Sequence, residues 1–102
     1  MNIKVYKLLS GEELIAEQFN HYDRHYELKN PAQIVLQQTP QGVGVALAPY
    51  MPYVEGNLSL SKSAIAAEGE PNQQMQNEYN RIFGSGIQVA PASALAGLQV
   101  AS

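Results

Sequence analysis

Cysteine is missing from all 102 residues. That excludes disulfides and thiolate metal sites, so stability has to come from packing and from contacts between copies. No run of eighteen apolar residues is present, which excludes a membrane-spanning helix. The amino-terminal MNIKVYKLLSGEE lacks the unbroken apolar centre and small-residue cleavage site of a secretory signal. Together these absences predict a cytoplasmic protein with no membrane partner. Charge is scarce too: six Lys and Arg against nine Asp and Glu give a formal net charge of -3. A field of cations gripping nucleic acid is thereby excluded, because that mode needs several phosphate contacts. Any nucleic-acid contact must rest on stacking and a few local charges.

The usual marks of catalysis are also missing. There is no nucleophile elbow and no phosphate-cradling glycine motif, and the acids Glu12 with Glu13 and Glu68 with Glu70 read as ordinary turn residues. No catalytic residue and no cofactor are expected. No internal repeat is visible.

What is present is apolar enough to fold. Apolar residues make up 45% of the chain and charged ones 15%, the balance of a soluble globular domain rather than a disordered chain. The length suits one domain, read as residues 1–90, with a small-residue tail over 91–102.

Residues 2–9 mix β-branched and aromatic side chains, with Ile3, Val5 and Leu9 on one side of a strand and Lys4, Tyr6 and Leu8 on the other. SGEE at 10–13 supplies a turn, and ELIAEQF resumes the apolar run, which makes a hairpin. YELK reads as a short strand ended by Asn30-Pro31, since proline cannot donate to a ladder. AQIVLQQT is a further strand, TPQG a turn, and VGVALA the returning strand. APYMPYV, with its alternating prolines, suits an edge strand or a docking surface in which Tyr50, Met51 and Tyr53 pack or meet another subunit. EGN at 55–57 is a tight turn, and LSLSK places Leu58 and Leu60 inward.

From Pro71 the period changes. Met75, Tyr79, Ile82 and Phe83 form one stripe of an α-helix over about 71–84, expected to lie on the sheet and punctuated by Pro71 and Gly84. GIQV beyond it could add a short extended piece.

Chemistry concentrates in HYDRHY, residues 21–26. His21, Asp23 and His25 are spaced two apart, so on an extended segment they share a side and could hold a metal ion; the alternative is a solvated hairpin tip. Tyr22, His25 and Tyr26 could stack on nucleic-acid bases whatever the net charge. The alternative is that one tyrosine packs inward and the other caps the hairpin.

Leu9, Gly11 and Leu14-Ile15-Ala16, followed by Tyr22-Asp23-Arg24-His25-Tyr26-Glu27-Leu28, resemble the first motif of the Sm and Sm-like (LSm, Hfq) family. Val54-Glu55-Gly56-Asn57-Leu58 is similar to its second. The resemblance covers roughly residues 3–62 and implies a mainly β fold, a strongly bent five-stranded antiparallel SH3-like barrel. Here it is joined to a C-terminal α-helix, where the usual family has its helix before the sheet. It implies edge-to-edge assembly into a homo-oligomeric ring and binding of RNA or single-stranded DNA at loops. His25 would be the stacking residue and Asp23 would shape its loop, with Tyr22, Gly56 and Asn57 beside them and Arg24 and Lys29 as the nearest cations. Glu27 stands where the family prefers asparagine, so the preferred base should change or the pocket should weaken; Glu55 stands where it prefers a cation, which counts against phosphate or base binding there. KLLSGEELIAEQ, LKNPAQIVLQ and the helix bearing EYNRIFG look like the small Sm-like proteins of cyanophage and marine metagenomic origin, which implies a pentamer. A ring with two acidic substitutions at its loops could instead be a phage structural or assembly component that contacts only proteins.

Overall fold

A computed structural model of the chain describes residues 2–84. The expected extended piece at GIQV and the tail over 91–102 lie outside the described residues. The chain divides into two compact units, Met1–Pro71 and Asn72–Ser102. The first is a six-stranded antiparallel sheet: β1 (Ile3–Leu8), β2 (Glu13–His21), β3 (His25–Thr39), β4 (Gly42–Pro49), β5 (Leu58–Ser61) and β6 (Ile65–Gly69). In the second, the described element is one helix, α1 (Gln73–Phe83).

The hairpin turns form where turn chemistry stands in the sequence. Gly11 at φ 100° lets its N–H donate to the Leu8 carbonyl, and Gly42 at φ 116° closes the two-residue Pro40-Gln41 loop between β3 and β4. Both positions need the left-handed region that a side chain disfavours.

Strand order runs β4-β3-β2-β1-β6, with β5 paired to β3 off that path. This forces the sheet to curl. In a flat sheet, β5 and β6 would lie on opposite borders of β3-β2-β1, separated by four inter-strand spacings of about 4.8 Å, or roughly 19 Å. They are joined only by a 3₁₀ turn, Lys62–Ala64, which covers about 6 Å. The borders must therefore come round toward each other, and backbone bonds fix the turn at both sides. Lys62 N–H donates to Arg24 O at 2.9 Å, and Leu9 N–H to Ala64 O at 2.8 Å.

Three register shifts supply the bending, each leaving extra residues on one strand of a pair. Phe19 is extra on β2 opposite Glu27, Ala66 is extra on β6, and Asn30-Pro31 on β3 spans a single residue of β2. Asn30 takes φ 51°, a left-handed conformation asparagine tolerates. The strand break expected at Asn30-Pro31 is thus a bulge within one fifteen-residue strand. Proline fits because its position joins neither ladder, while its carbonyl accepts from Tyr50 N–H at 2.9 Å.

Two further expectations are corrected. Of APYMPYV only Ala48 and Pro49 belong to an edge strand, as the end of β4; from Tyr50 the chain leaves the sheet and turns through Met51 at φ 52°, with Tyr50 packed on the core and Tyr53 exposed. The strand count rises from five to six because IAAEG, short and without alternation, pairs with β1.

The concave face holds Tyr6, Leu8, Leu14, Ala16, Leu28 and Leu60, with Tyr26, Tyr50, Leu58 and Ile65 packed against them. Leu58 and Leu60 do face inward. The Tyr6 hydroxyl donates to Gln18 Oε1 at 2.9 Å, which satisfies the polar end of a fully buried ring.

By contrast, the far half of the β3–β4 hairpin is open. Leu36, Val43 and Val45, on neighbouring pairs, are 71%, 68% and 45% exposed. From Asn30 to Val54 no side chain is charged. Among the described residues no strand covers the outer border of β4 or of β6.

In α1 the Asn72 side chain caps the first turn, accepting from Met75 N–H at 2.8 Å, and Tyr79 meets Phe83 with ring centroids 5.0 Å apart. A side chain on Gly84 would run into the Asn80 carbonyl, which explains the glycine that ends the helix. No helix among the described residues is long and apolar enough to cross a membrane.

Replacing Leu28 by Ala removes a fully buried side chain and is expected to cost about 2–5 kcal/mol in urea unfolding. Leu36→Ala, at an exposed site, is expected to stay within about 0.5 kcal/mol. Equal effects would contradict the inward face assigned here.

Candidate nucleic-acid interface

The segment from His21 to Tyr26 is a chain reversal. β2 ends at His21, β3 starts at His25, and Tyr22 N–H donates to His25 O at 2.8 Å. The reversal brings Tyr22 and His25 face to face, with centroids 4.8 Å apart and planes inclined by 26°. His21, paired across the ladder with Tyr26, meets that ring edge-on at 6.2 Å. Asp23 and Arg24 stand exposed at the tip.

This geometry removes the metal reading. A shared side for His21, Asp23 and His25 required an extended segment, and the chain turns between them. Among the described residues no group of three or more His, Cys, Asp or Glu is disposed to hold a metal ion.

Of the two tyrosines, Tyr26 packs inward. Its ring lies 5.6 Å from Tyr6, its hydroxyl donates to both Glu68 carboxylate oxygens at 2.9 Å, and Lys62 Nζ sits 4.9 Å from its centroid. Tyr22 remains 48% exposed. Tyr26 is therefore a support, and Tyr22, stacked on half-buried His25, offers a ring to solvent at the turn.

The order of β5 decides which residues approach the reversal. β5 pairs with β3 from Leu28↔Leu58 to His25↔Ser61. Gly56 and Asn57 precede Leu58 and lie at the far end of β5, so the structure does not bring them to Asp23. What arrives beside Arg24 is the Lys62–Ala64 turn. Lys29 lies four residues along β3 from His25, about 13 Å away, opposite Glu17.

Strand alternation puts His25, Glu27 and Lys29 on the outward face of β3, because Leu28 and Tyr26 point to the core. Ser59 and Ser61 stand opposite Glu27 and His25. On the other side Asn20 is the partner of Glu27, and its amide donates to Glu27 Oε1 at 2.9 Å. Phe19, the extra residue of the bulge, is 54% exposed.

Phe19 and Lys62 escaped the sequence reading. Each is placed by ladder register, and only the alternation LSLSK, continued by one residue, hinted that Lys62 would leave the strand at the turn. No known protein-family model matches the chain, and no curated protein matches it.

Burial raises the Tyr6 phenol far above its ordinary value, with the charge of Glu68 and the neighbouring Tyr26 adding to the effect. The hydrogen bond to Glu68 raises Tyr26 as well. A raised folded-state value means that neutral Tyr6 stabilises the fold fully below pH about 10 and that this stability is lost as the pH climbs above it. Thermal melts between pH 8 and 11 are expected to show a steep loss above pH 10 that Tyr6→Phe flattens. An unchanged slope in the variant would assign the alkaline limb elsewhere.

Proposed function

We propose that the chain is an Sm-like subunit of a homo-oligomeric ring that binds single-stranded RNA or DNA at the turn formed by Tyr22, Asp23, Arg24 and His25, with Lys62 beside it. The observation that carries this reading is exposed Tyr22 stacked at 4.8 Å on half-buried His25, with Lys62 held over the neighbouring Tyr26 ring, on a turn that the resemblance already assigns to base stacking. The curled antiparallel sheet, with its fifteen-residue bent strand and uncovered borders, supports the reading as an SH3-like barrel of that family.

Lys62-Ser63-Ala64-Ile65, a cation followed by small residues and an apolar strand, takes over the part first given to Val54-Glu55-Gly56-Asn57-Leu58. Glu55, acidic where the family prefers a cation, then lies outside the contact surface along with Gly56 and Asn57. Lys29 is a third cation, farther along the outward face and away from the turn where Arg24 and Lys62 stand.

Self-association follows from the β3–β4 hairpin. A regular, charge-free strand at an open border, with a proline only at its last residue, has few of the devices that keep edges apart, so pairing with another copy is its expected fate. The copy number implied by the resemblance is five. The same hairpin also favours the rival reading, a phage assembly protein whose ring contacts proteins alone, and Asp23, Glu27 and Glu68 near the turn weigh on that side.

Light scattering after size exclusion is expected to give one closed oligomer; a monomer at micromolar concentration overturns the ring. Fluorescence polarisation with labelled single-stranded hexamers is expected to show binding that Tyr22→Ala weakens roughly tenfold or more. With only about two cations at the contact, affinity should fall less than about tenfold between roughly 50 and 200 mM salt. An intact ring that binds no oligomer at low salt leaves the assembly role standing.

A further inference from the structure

Glu27 is the anomaly of the proposed surface, a carboxylate where a nucleic acid would bring more negative charge. The structure gives it defined surroundings. It stands two residues from His25 on the outward face of β3, and the Asn20 amide fixes Oε1. Phe19 and Asn20 together oppose it at the β2 bulge, and Ser59 opposes it on β5. Exposed rings thus occur on both sides: Phe19 on β2, and Tyr22 stacked on His25 at the turn.

An ionised carboxylate has two oxygens with about four acceptor positions and no donor. The Asn20 amide occupies one of them, which leaves both oxygens able to accept. The ligand edge that satisfies such a group carries two adjacent donors. Among the four bases only guanine has one, the N1–H and N2–H₂ of its Watson–Crick edge. Uracil places carbonyls on both sides of its single N–H. Adenine and cytosine each set a ring acceptor beside their amino group, and that acceptor would face a negative oxygen.

Resting on the nucleic-acid reading above, we infer that this site selects guanine, with Glu27 accepting from N1–H and N2–H₂ while the neighbouring rings hold bases by stacking. Asn20 acts as a positioning residue, since its bond to Oε1 orients the carboxylate. The cost of like charge is met by directed donors, which gives a site selective among bases and weak toward phosphate.

The test compares hexamers of uridine carrying a single central G, A, C or U, in RNA and DNA form, on the intact oligomer at low salt. A bidentate pair discriminates among bases by about fivefold to a hundredfold, so the G-containing hexamer is expected to bind at least about tenfold more tightly. Replacing its guanine by inosine, which keeps N1–H but lacks the N2 amino group, should forfeit part of that advantage. Glu27→Gln keeps the shape and removes a charge. It is expected to abolish the preference for G while binding of the other hexamers holds or improves, which a merely structural Glu27 would not produce. Equal binding of all four hexamers, or a preference that survives Glu27→Gln, overturns the guanine assignment and leaves the stacking surface intact. Absence of binding by every hexamer overturns both.

Discussion

Three residues joining two opposite borders of one sheet set the terms for everything else in this protein. Lys62–Ala64 must carry the chain from β5, bonded to β3, to β6, bonded to β1, across a distance that only a rolled sheet allows. The bulges at Phe19, Asn30-Pro31 and Ala66 supply the curvature. Curvature creates the concave side on which Tyr6, Leu14, Leu28 and Leu60 become dry. The same short connection delivers Lys62 to the Tyr22–His25 turn, so closing the fold and furnishing the candidate surface are one geometric event.

That surface is organised from the inside outward. Tyr26 bridges the layers: one side of its ring belongs to the core beside Tyr6, its hydroxyl is taken by Glu68, and Lys62 lies over it. A ring held on three sides is a firm base for the reversal above it, where exposed Tyr22 stacks on half-buried His25. Close to the turn Arg24 and Lys62 stand against Asp23, Glu27 and Glu68, a small negative excess. The field there attracts no polyanion, so any nucleic-acid contact would rest on ring area and directed hydrogen bonds.

Much of this was legible in the sequence. Leu58 and Leu60 announced their inward direction through a period of two, Gly11 and Gly42 marked turns that need positive φ, and the stripe from Met75 to Phe83 marked the helix within a residue or two at each end. What escaped has a common cause. Pro31 signals a break only if its position must donate to a ladder, and the bulge relieves it of that duty. IAAEG has no pattern of its own and is a strand because β1 has a free side next to it. Gly56 and Asn57 were assigned to the turn by resemblance of residue order, whereas register carries them to the other end of β5. Local chemistry is written locally; which ends meet is decided by pairing between distant segments.

Two of the uncovered borders of the sheet, those of β4 and β6, are unlike each other: β4 is eight residues long and charge-free, β6 only five, with Glu68 in it. A contact that joins one kind of border to the other has a direction, so it cannot form a two-fold pair of mutually facing copies. Subunits added this way all keep the same orientation, and every copy presents its Asp23 reversal toward the same side of the assembly. Whether such a chain of copies bites its own tail or runs on as a fibre depends on the angle of each step, and therefore on the curvature that the bulges build into a single subunit.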